Sequence, residues 1–303
     1  MSFTTIRMGV GRVVLVAGIL VLLFIPYLLW GTGLKTAHSQ SLLRAQFSVE
    51  QHKAGITPVR APVAPAKRGA TPAQVAPTVA DPAIGSPVGT IDIPKIGLNM
   101  MVVEGTDEIR LQEGPGHYPA TPLPGEAGNA AIAGHRTTYL HPFYNLDQLV
   151  PGDPILVTTA QGAFLYSVLR SEVVLPTDVA VVDPTSTPQL TLTTCNPRYS
   201  ASQRLVIHAA LTASALAHPT TPVAAVTTSK PSHHAPPPPP SKNWAVAILW
   251  GVVVAGVITA VWIGAGMTRS WTRAGILTGG LAVWLCVVFL FFQSLAPLLP
   301  ASY

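Results

Sequence analysis

Charge is scarce in this chain. Of its 303 residues only 10% are Asp, Glu, Lys or Arg while 49% are hydrophobic, and the mean hydropathy is +0.42. That balance excludes a protein soluble along its whole length. Acidic residues are missing altogether from residues 213–303. Cysteine is almost absent: there are 2, and Cys286 falls in a long apolar run, so Cys195 has no partner for a disulfide in the rest of the chain. The adjacent His233 and His234 lie in a proline tract and are too few to hold a metal, and no metal or cofactor is expected.

Proline is abundant and clustered. Seven of the 30 prolines fall in residues 54–88 and eight in residues 213–243, stretches that can neither join a sheet nor continue a helix. The net charge of +5 divides unevenly: +6 over residues 1–87, −5 over 88–212 and +4 over 213–303. A nucleic-acid protein puts its positive charge on the folded domain. Here the candidate domain is acidic, and nucleic acid is excluded as a partner.

Three apolar runs are long enough to span a bilayer at about 1.5 Å per residue. Residues 13–30 read as an uncleaved signal anchor, because the run is longer than a signal peptide's apolar region and nothing convincing as a small-x-small cleavage site follows Trp30. Residues 244–266 and 274–298 read as a hairpin. Arg7 and Arg12 before the first run, with Arg269 and Arg273 between the other two, mark those segments as cytoplasmic. The expected order is a cytoplasmic N-terminus (1–12), a span (13–30), an extracellular basic, proline-rich linker (31–87), a folded domain (88–212) and a second proline-rich linker (213–243). A span (244–266), a cytoplasmic loop (267–273) and a last span (274–298) complete a multi-pass membrane protein with its domain outside the cell.

Residues 88–212 alternate short β-type runs with turn signals. Strands are expected over 89–93, 100–103, 130–133, 154–158, 163–169, 189–194 and 204–210, with single helical turns near 107–111 and 143–149. Pro124-Gly125 and Pro151-Gly152 punctuate them. The fold class is mainly β: a small closed barrel of about eight strands with short helices, flanked by transmembrane helices.

Cys195 taken alone is equally a nucleophile or an inert thiol at a strand end. Its setting narrows the choice. It ends the run Leu190-Thr191-Leu192-Thr193-Thr194, and Arg204 opens the return strand, so a hairpin brings the two side chains together. A guanidinium beside a thiol favours the thiolate and can hold an oxyanion, although Arg204 taken alone reads first as a surface ion pair. His135 follows the run 130–133 directly, where a loop can present an imidazole to a neighbouring strand end. Cys, His and Arg from three strand ends supply a nucleophile, a proton donor and a charge stabiliser. Among the other histidines, His117 reads as shaping a loop, His141 as structural, and His208 as a satisfied strand residue.

These residues resemble a family. Leu192-Thr193-Thr194-Cys195 with Arg204 nine positions on, Gly134-His135-Arg136 sixty residues upstream, Ile93-Pro94-Lys95-Ile96-Gly97 and Gly114-Pro115-Gly116-His117-Tyr118 together are similar to the sortases, cysteine transpeptidases of Gram-positive surfaces. Thr137-Thr138-Tyr139 with Pro142-Phe143 most resembles class E of the actinobacteria. The resemblance implies a sortase barrel with catalytic His135, Cys195 and Arg204 and substrate-binding Tyr118 and Thr194. It implies cleavage of a Leu-(Ala or Pro)-X-Thr-Gly sorting signal on secreted proteins, then transfer of the Thr carboxyl to a cell-wall precursor amine of the lipid II kind. The alternatives are a pilus-polymerising class C-like sortase, against which Ala83 stands after Asp81-Pro82 where that class carries an aromatic lid residue, and a purely hydrolytic thiol peptidase. Tyr118 is equally a reader of the second motif position or a packing residue of its loop.

Overall fold

The structure is a computed structural model that describes residues 15–16, 18–53, 73–119, 121–216, 244–267 and 270–296. The chain divides into two compact units: residues 33–239, which hold the β domain, and a helical unit drawn from residues 1–32 and 240–301.

The alternating runs become eight strands: β1 (Pro87–Ile93), β2 (Leu98–Glu104), β3 (Gly116–His117), β4 (Asn129–Ala133), β5 (Pro154–Thr159), β6 (Gly162–Val174), β7 (Gln189–Asn196) and β8 (Gln203–Leu216). They close into a barrel in the order β1-β2-β3-β4-β7-β8-β6-β5. The pairs β2–β3 and β4–β7 are parallel and the others antiparallel. Period-two alternation decides which side chains fill the interior. Leu190 and Leu192 of β7 meet Leu205, Ile207 and Ala209 of β8 and Ile132 of β4 in one core that Phe143 and Phe164 also enter. Burying each of these large side chains is worth about 2–3 kcal/mol. Thr191, Thr193 and Cys195 take the opposite face of β7. At the β1–β5 contact Gly89 leaves room that a side chain would fill, since a Cβ there would strike the Thr158 carbonyl.

All seven expected strands are present, several of them longer than expected. The two-residue β3 was not foreseen, because Pro115 and Pro119 flank it and leave no pattern to read. The expected turn near 107–111 is an α-helix, Glu108–Glu113, whose first amides are accepted by the Asp107 side chain. That near 143–149 shrinks to a 3₁₀ turn at Leu146–Gln148.

The assignment of 31–87 as linker needs correction at both ends. Residues Thr32–Lys53 form a 22-residue helix, here α1, with Glu108–Glu113 as α2. This stretch contains no proline, and Leu43 and Phe47, one helical turn apart, bury themselves against Met101 and Val103 on the outer face of β2. Gln40 accepts from the Met101 amide at 2.7 Å and donates to the Met101 and Glu113 carbonyls, both at 3.0 Å. Further on, residues 73–86 follow the barrel surface: the Ala76 amide donates to Gly125 O at 2.8 Å and that of Val79 to the Glu126 carboxylate at 3.0 Å. At the other boundary β8 runs four residues past 212, because β6 pairs with it as far as Leu216. Residues 54–72 and 217–243 lie outside the described residues.

In the helical unit, α3 (Trp244–Gly266) and the part of α4 (Ser270–Leu295) from Gly275 onward are long and apolar enough to cross a membrane, with mean hydropathies of 2.5 and 2.3. The helix α4 opens four residues before the expected start at 274. Residues 18–26 are helical and continue through a π-helical stretch, Tyr27–Gly31, just after Pro26, which has no N–H to extend the α-helical ladder. Leu20, Leu23, Phe24 and Tyr27 pack with Val254, Trp284, Val288 and Phe292, and the Phe24 and Phe292 rings meet edge to face at 4.9 Å. The first expected span is described only in part, since residues 13, 14 and 17 fall outside the described residues, as do 1–12, 268–269 and 297–303.

Candidate active site

Three adjacent strands, β4, β7 and β8, bring the chemistry together. Cys195 and Arg204 are direct partners in the β7–β8 register, on the face of those strands turned away from the core. Directly opposed residues have Cβ atoms about 4.5–5.5 Å apart. The strand β4 runs parallel to β7, with Ala133 beside Thr193, and the Gly134 amide donates to Thr193 O at 3.1 Å. The next residue, His135, therefore leaves its strand alongside Cys195.

The backbone around His135 is tied down from both sides. The Thr194 hydroxyl donates to Gly134 O at 2.7 Å and the Phe143 amide to His135 O at 3.1 Å. Gly134 is glycine for a steric reason, since a Cβ would lie 2.6 Å from the Phe143 ring. Beyond it Tyr139, Leu140 and His141 hold three successive left-handed conformations, with φ of 53°, 61° and 38°, an arrangement that costs energy at each non-glycine residue. The result is a tight turn that sets the Tyr139 ring 4.9 Å from the His135 ring, tilted by 36°.

Tyr118, Ala133, Gly134, His135, Thr193, Thr194, Cys195 and Arg204, with Thr106 and Leu111, line one cavity of about 180 Å³. All five residues expected at the site meet there. Burial dominates their electrostatics. His135 is 7% exposed, and desolvation of its imidazolium pushes its pKa down to about 4. Burial pushes the Cys195 thiol up, against the pull of the Arg204 and Arg136 cations. Thiol and imidazole are thus both neutral near pH 7.

Both of the expected substrate contacts have protein partners. The Tyr118 hydroxyl shares a hydrogen bond with the Thr193 hydroxyl at 3.2 Å. Thr194 faces the barrel interior and its hydroxyl is committed to Gly134 O, so it shapes the cavity by holding the His135 backbone. His117, His141 and His208 are not among the residues lining the cavity. His117, fully buried in β3, bonds Glu104 at 2.8 Å and Pro122 O at 3.0 Å. His208 is buried between Glu172 and Thr191, and His141 lies in the left-handed turn. The described residues hold no cluster of three or more His, Cys, Asp or Glu suited to a metal ion.

The family described as the sortase domain matches residues 91–212. The barrel is a sortase domain. The chain is 30% identical to Sortase SrtE1 of Streptomyces coelicolor over 215 residues, 66% of this chain and 55% of the relative. It is 33% identical to Sortase D of Bacillus subtilis over 117 residues, 38% of this chain and 58% of the relative. It therefore spans little more than half the length of these relatives. Sortase E from Streptomyces avermitilis is a similar solved structure, 36% identical over 44% of this chain and 93% of that one, with a TM-score of 0.41. Sortase SrtE2 of Streptomyces coelicolor also matches, 27% identical over 65% of this chain, and with SrtE1 it gives the likeness to class E sortases.

Within the sortase domain one residue escaped the sequence reading. Arg136, next to His135, turns away from the cavity and donates to Cys195 O at 3.0 Å and to Asn196 Oδ1 at 2.7 Å. Its position in the Gly134-His135-Arg136 motif was the only signal, and a bond to a main-chain carbonyl leaves no mark in a sequence.

Proposed function

We propose that this chain is a membrane-anchored class E sortase, a cysteine transpeptidase working outside the cell on secreted proteins that carry a Leu-(Ala or Pro)-X-Thr-Gly signal. The observation that carries the reading is the meeting of Cys195, His135 and Arg204 on one cavity of a sortase barrel. In this reading His135 takes the Cys195 proton as Sγ attacks the Thr carbonyl carbon. Arg204 and neighbouring backbone amides hold the oxyanion. The C–N bond breaks, His135 returns the proton to the departing Gly amine, and a thioester to Cys195 remains. A cell-wall precursor amine then attacks the thioester carbonyl and gives a proton to His135; the C–S bond breaks, the new amide leaves, and His135 returns the proton to the Cys195 thiolate.

Both groups start neutral, so the thiolate–imidazolium pair is a minor form of the free enzyme. Substrate closes the cavity to water and brings a carbonyl oxygen to Arg204, which strengthens the attraction exactly where negative charge develops. The apolar helices α3 and α4, with the 13–30 run, anchor the domain, and the arginines at 7, 12, 269 and 273 orient it outward.

Full-length protein in detergent, given peptides bearing the signal with and without an added amine, tests the reading by product mass. Amide product at the Thr carboxyl is expected. Hydrolysis alone, whatever the amine concentration, would refute transpeptidation, and turnover surviving in Cys195→Ala would refute the site.

A further inference from the structure

Arg136 is 4% exposed, and a guanidinium taken that far out of water costs several kcal/mol unless its charge is met. Its bonds to Cys195 O and Asn196 Oδ1 use neutral acceptors. Its Nε is buried without a hydrogen bond. Among the described residues the carboxylate paired with it is Asp147, at 3.3 Å from a terminal nitrogen. That carboxylate is shared: Arg198 grips both of its oxygens, at 2.8 and 3.0 Å, while also donating to Tyr144 O at 3.2 Å. Two guanidiniums against one carboxylate leave a net charge of one, positive, behind the end of β7. On the other side of Cys195 stands Arg204. Asn196 links the two sides, accepting from Arg136 and donating to Gln203 Oε1 at 3.0 Å.

A neutral donor would clamp a carbonyl and an amide oxygen as well. The burial of a cation there makes sense if negative charge forms beside it, and Cys195 is the acid within reach. We propose that Arg136 is a positioning residue for Cys195: it holds the strand end through the Cys195 carbonyl and supplies, opposite Arg204, a second permanent cation that favours the thiolate. The groups that set the charge around the thiol are then His135, Arg204, Arg136 and, behind Arg136, the Asp147–Arg198 pair. The proposal rests on Cys195 being the nucleophile, but its test does not depend on any acyl transfer.

The test is the pH dependence of Cys195 alkylation by iodoacetamide in full-length protein carrying Cys286→Ala. Arg136→Gln keeps donors and removes the charge; its alkylation midpoint is expected to rise by about one pH unit, the low end for loss of a nearby opposite charge. Asp147→Asn leaves Arg136 in place and removes its counter-charge, so its midpoint is expected to fall. Arg136→Lys keeps the charge without the planar fork; its midpoint stays near native, while kcat drops roughly tenfold or more with KM little changed. Opposite shifts in the Gln and Asn variants cannot come from simple loosening of the loop. If Arg136→Gln fails to fold, the direction of the Asp147→Asn shift decides. Unchanged midpoints, or shifts of the same sign in both variants, would overturn the proposal. Correct shifts in an enzyme that transfers no acyl group would instead refute the transpeptidase reading.

Discussion

Replacing His135 by Gln should flatten the acid side of the domain's stability profile. The imidazole has a pKa of about 4 in the folded protein against an ordinary 6.5. Between those values the unfolded chain binds a proton that the folded chain does not, so stability falls as pH is lowered through that window. Above it the contribution is fully present; below about 4 both states are protonated and the slope ends. Each pH unit inside the window is worth about 1.4 kcal/mol, which puts the loss between pH 7.5 and pH 5 at about 2 kcal/mol. His135 is almost wholly buried, so solvent screening takes little from that figure. Glu126, whose carboxyl is pushed up by burial, titrates alike in both proteins and cancels in the comparison. The assay is urea unfolding of residues 33–216 followed by far-UV circular dichroism, native against His135→Gln, at the two pH values. Native protein should lose about 2 kcal/mol more than the variant on acidification. Equal losses would mean that the imidazole is not shielded from water, and the depressed pKa assigned to it would fall.

Cys195→Ala should abolish acyl-enzyme formation, and Arg204→Ala should slow it by about 100- to 1,000-fold, as removal of an oxyanion donor does; intact-mass detection of the thioester and rapid quench measure the two. Gln40→Ala would strip partners from the Met101 amide and two carbonyls and should destabilise the domain by about 2–4 kcal/mol in urea titration. Tyr118→Phe removes the bond to Thr193, and the ratio of kcat/KM for peptides with Ala or Pro at the second motif position should change; an unaltered ratio in both Tyr118→Phe and Tyr118→Ala would exclude Tyr118 as the reader. Reporter fusions at Ser241 and Tyr303 should behave as exported and one at Thr272 as cytoplasmic, and a cytoplasmic Tyr303 would mean that one C-terminal run does not span.

The strands were legible where β-branched and apolar residues alternate between turn signals, as in 189–194 or 204–210, because the interior of a barrel imposes that period. The strand β3 was not, being two residues between prolines. Nor was α1: only Leu43 and Phe47 of its apolar residues form the buried pair on β2, and its polar holds on the domain, Gln40 on Met101, Thr36 on Gln112 O and Arg44 on Asn99, leave no periodic pattern. At the site, Cys195, His135 and Arg204 could be found because their chemistry is carried by side chains. The hydroxyl of Thr194 and the guanidinium of Arg136 act on main-chain carbonyls, and these interactions emerge only when the strands are set side by side. The packing of residues 18–27 on the C-terminal hairpin was equally hidden, since apolar runs advertise burial without naming a neighbour.

The shortness of β3 has a mechanical meaning. Seven strands share long ladders, yet the ring passes from β2 to β4 through Gly116 and His117 alone. On either side of that link the exposed edges are finished by other means: Gln40 caps Met101, and the Tyr118 amide and Thr121 hydroxyl cap Ala131. The buried pair of His117 and Glu104 sits across it like a bolt. Fewest ladder bonds join the ring at this seam, so these caps and the buried pair carry more of its closure than they would between longer strands. Tyr118, which lines the cavity, is the next residue along the chain, so the thinnest link of the ring lies beside the site.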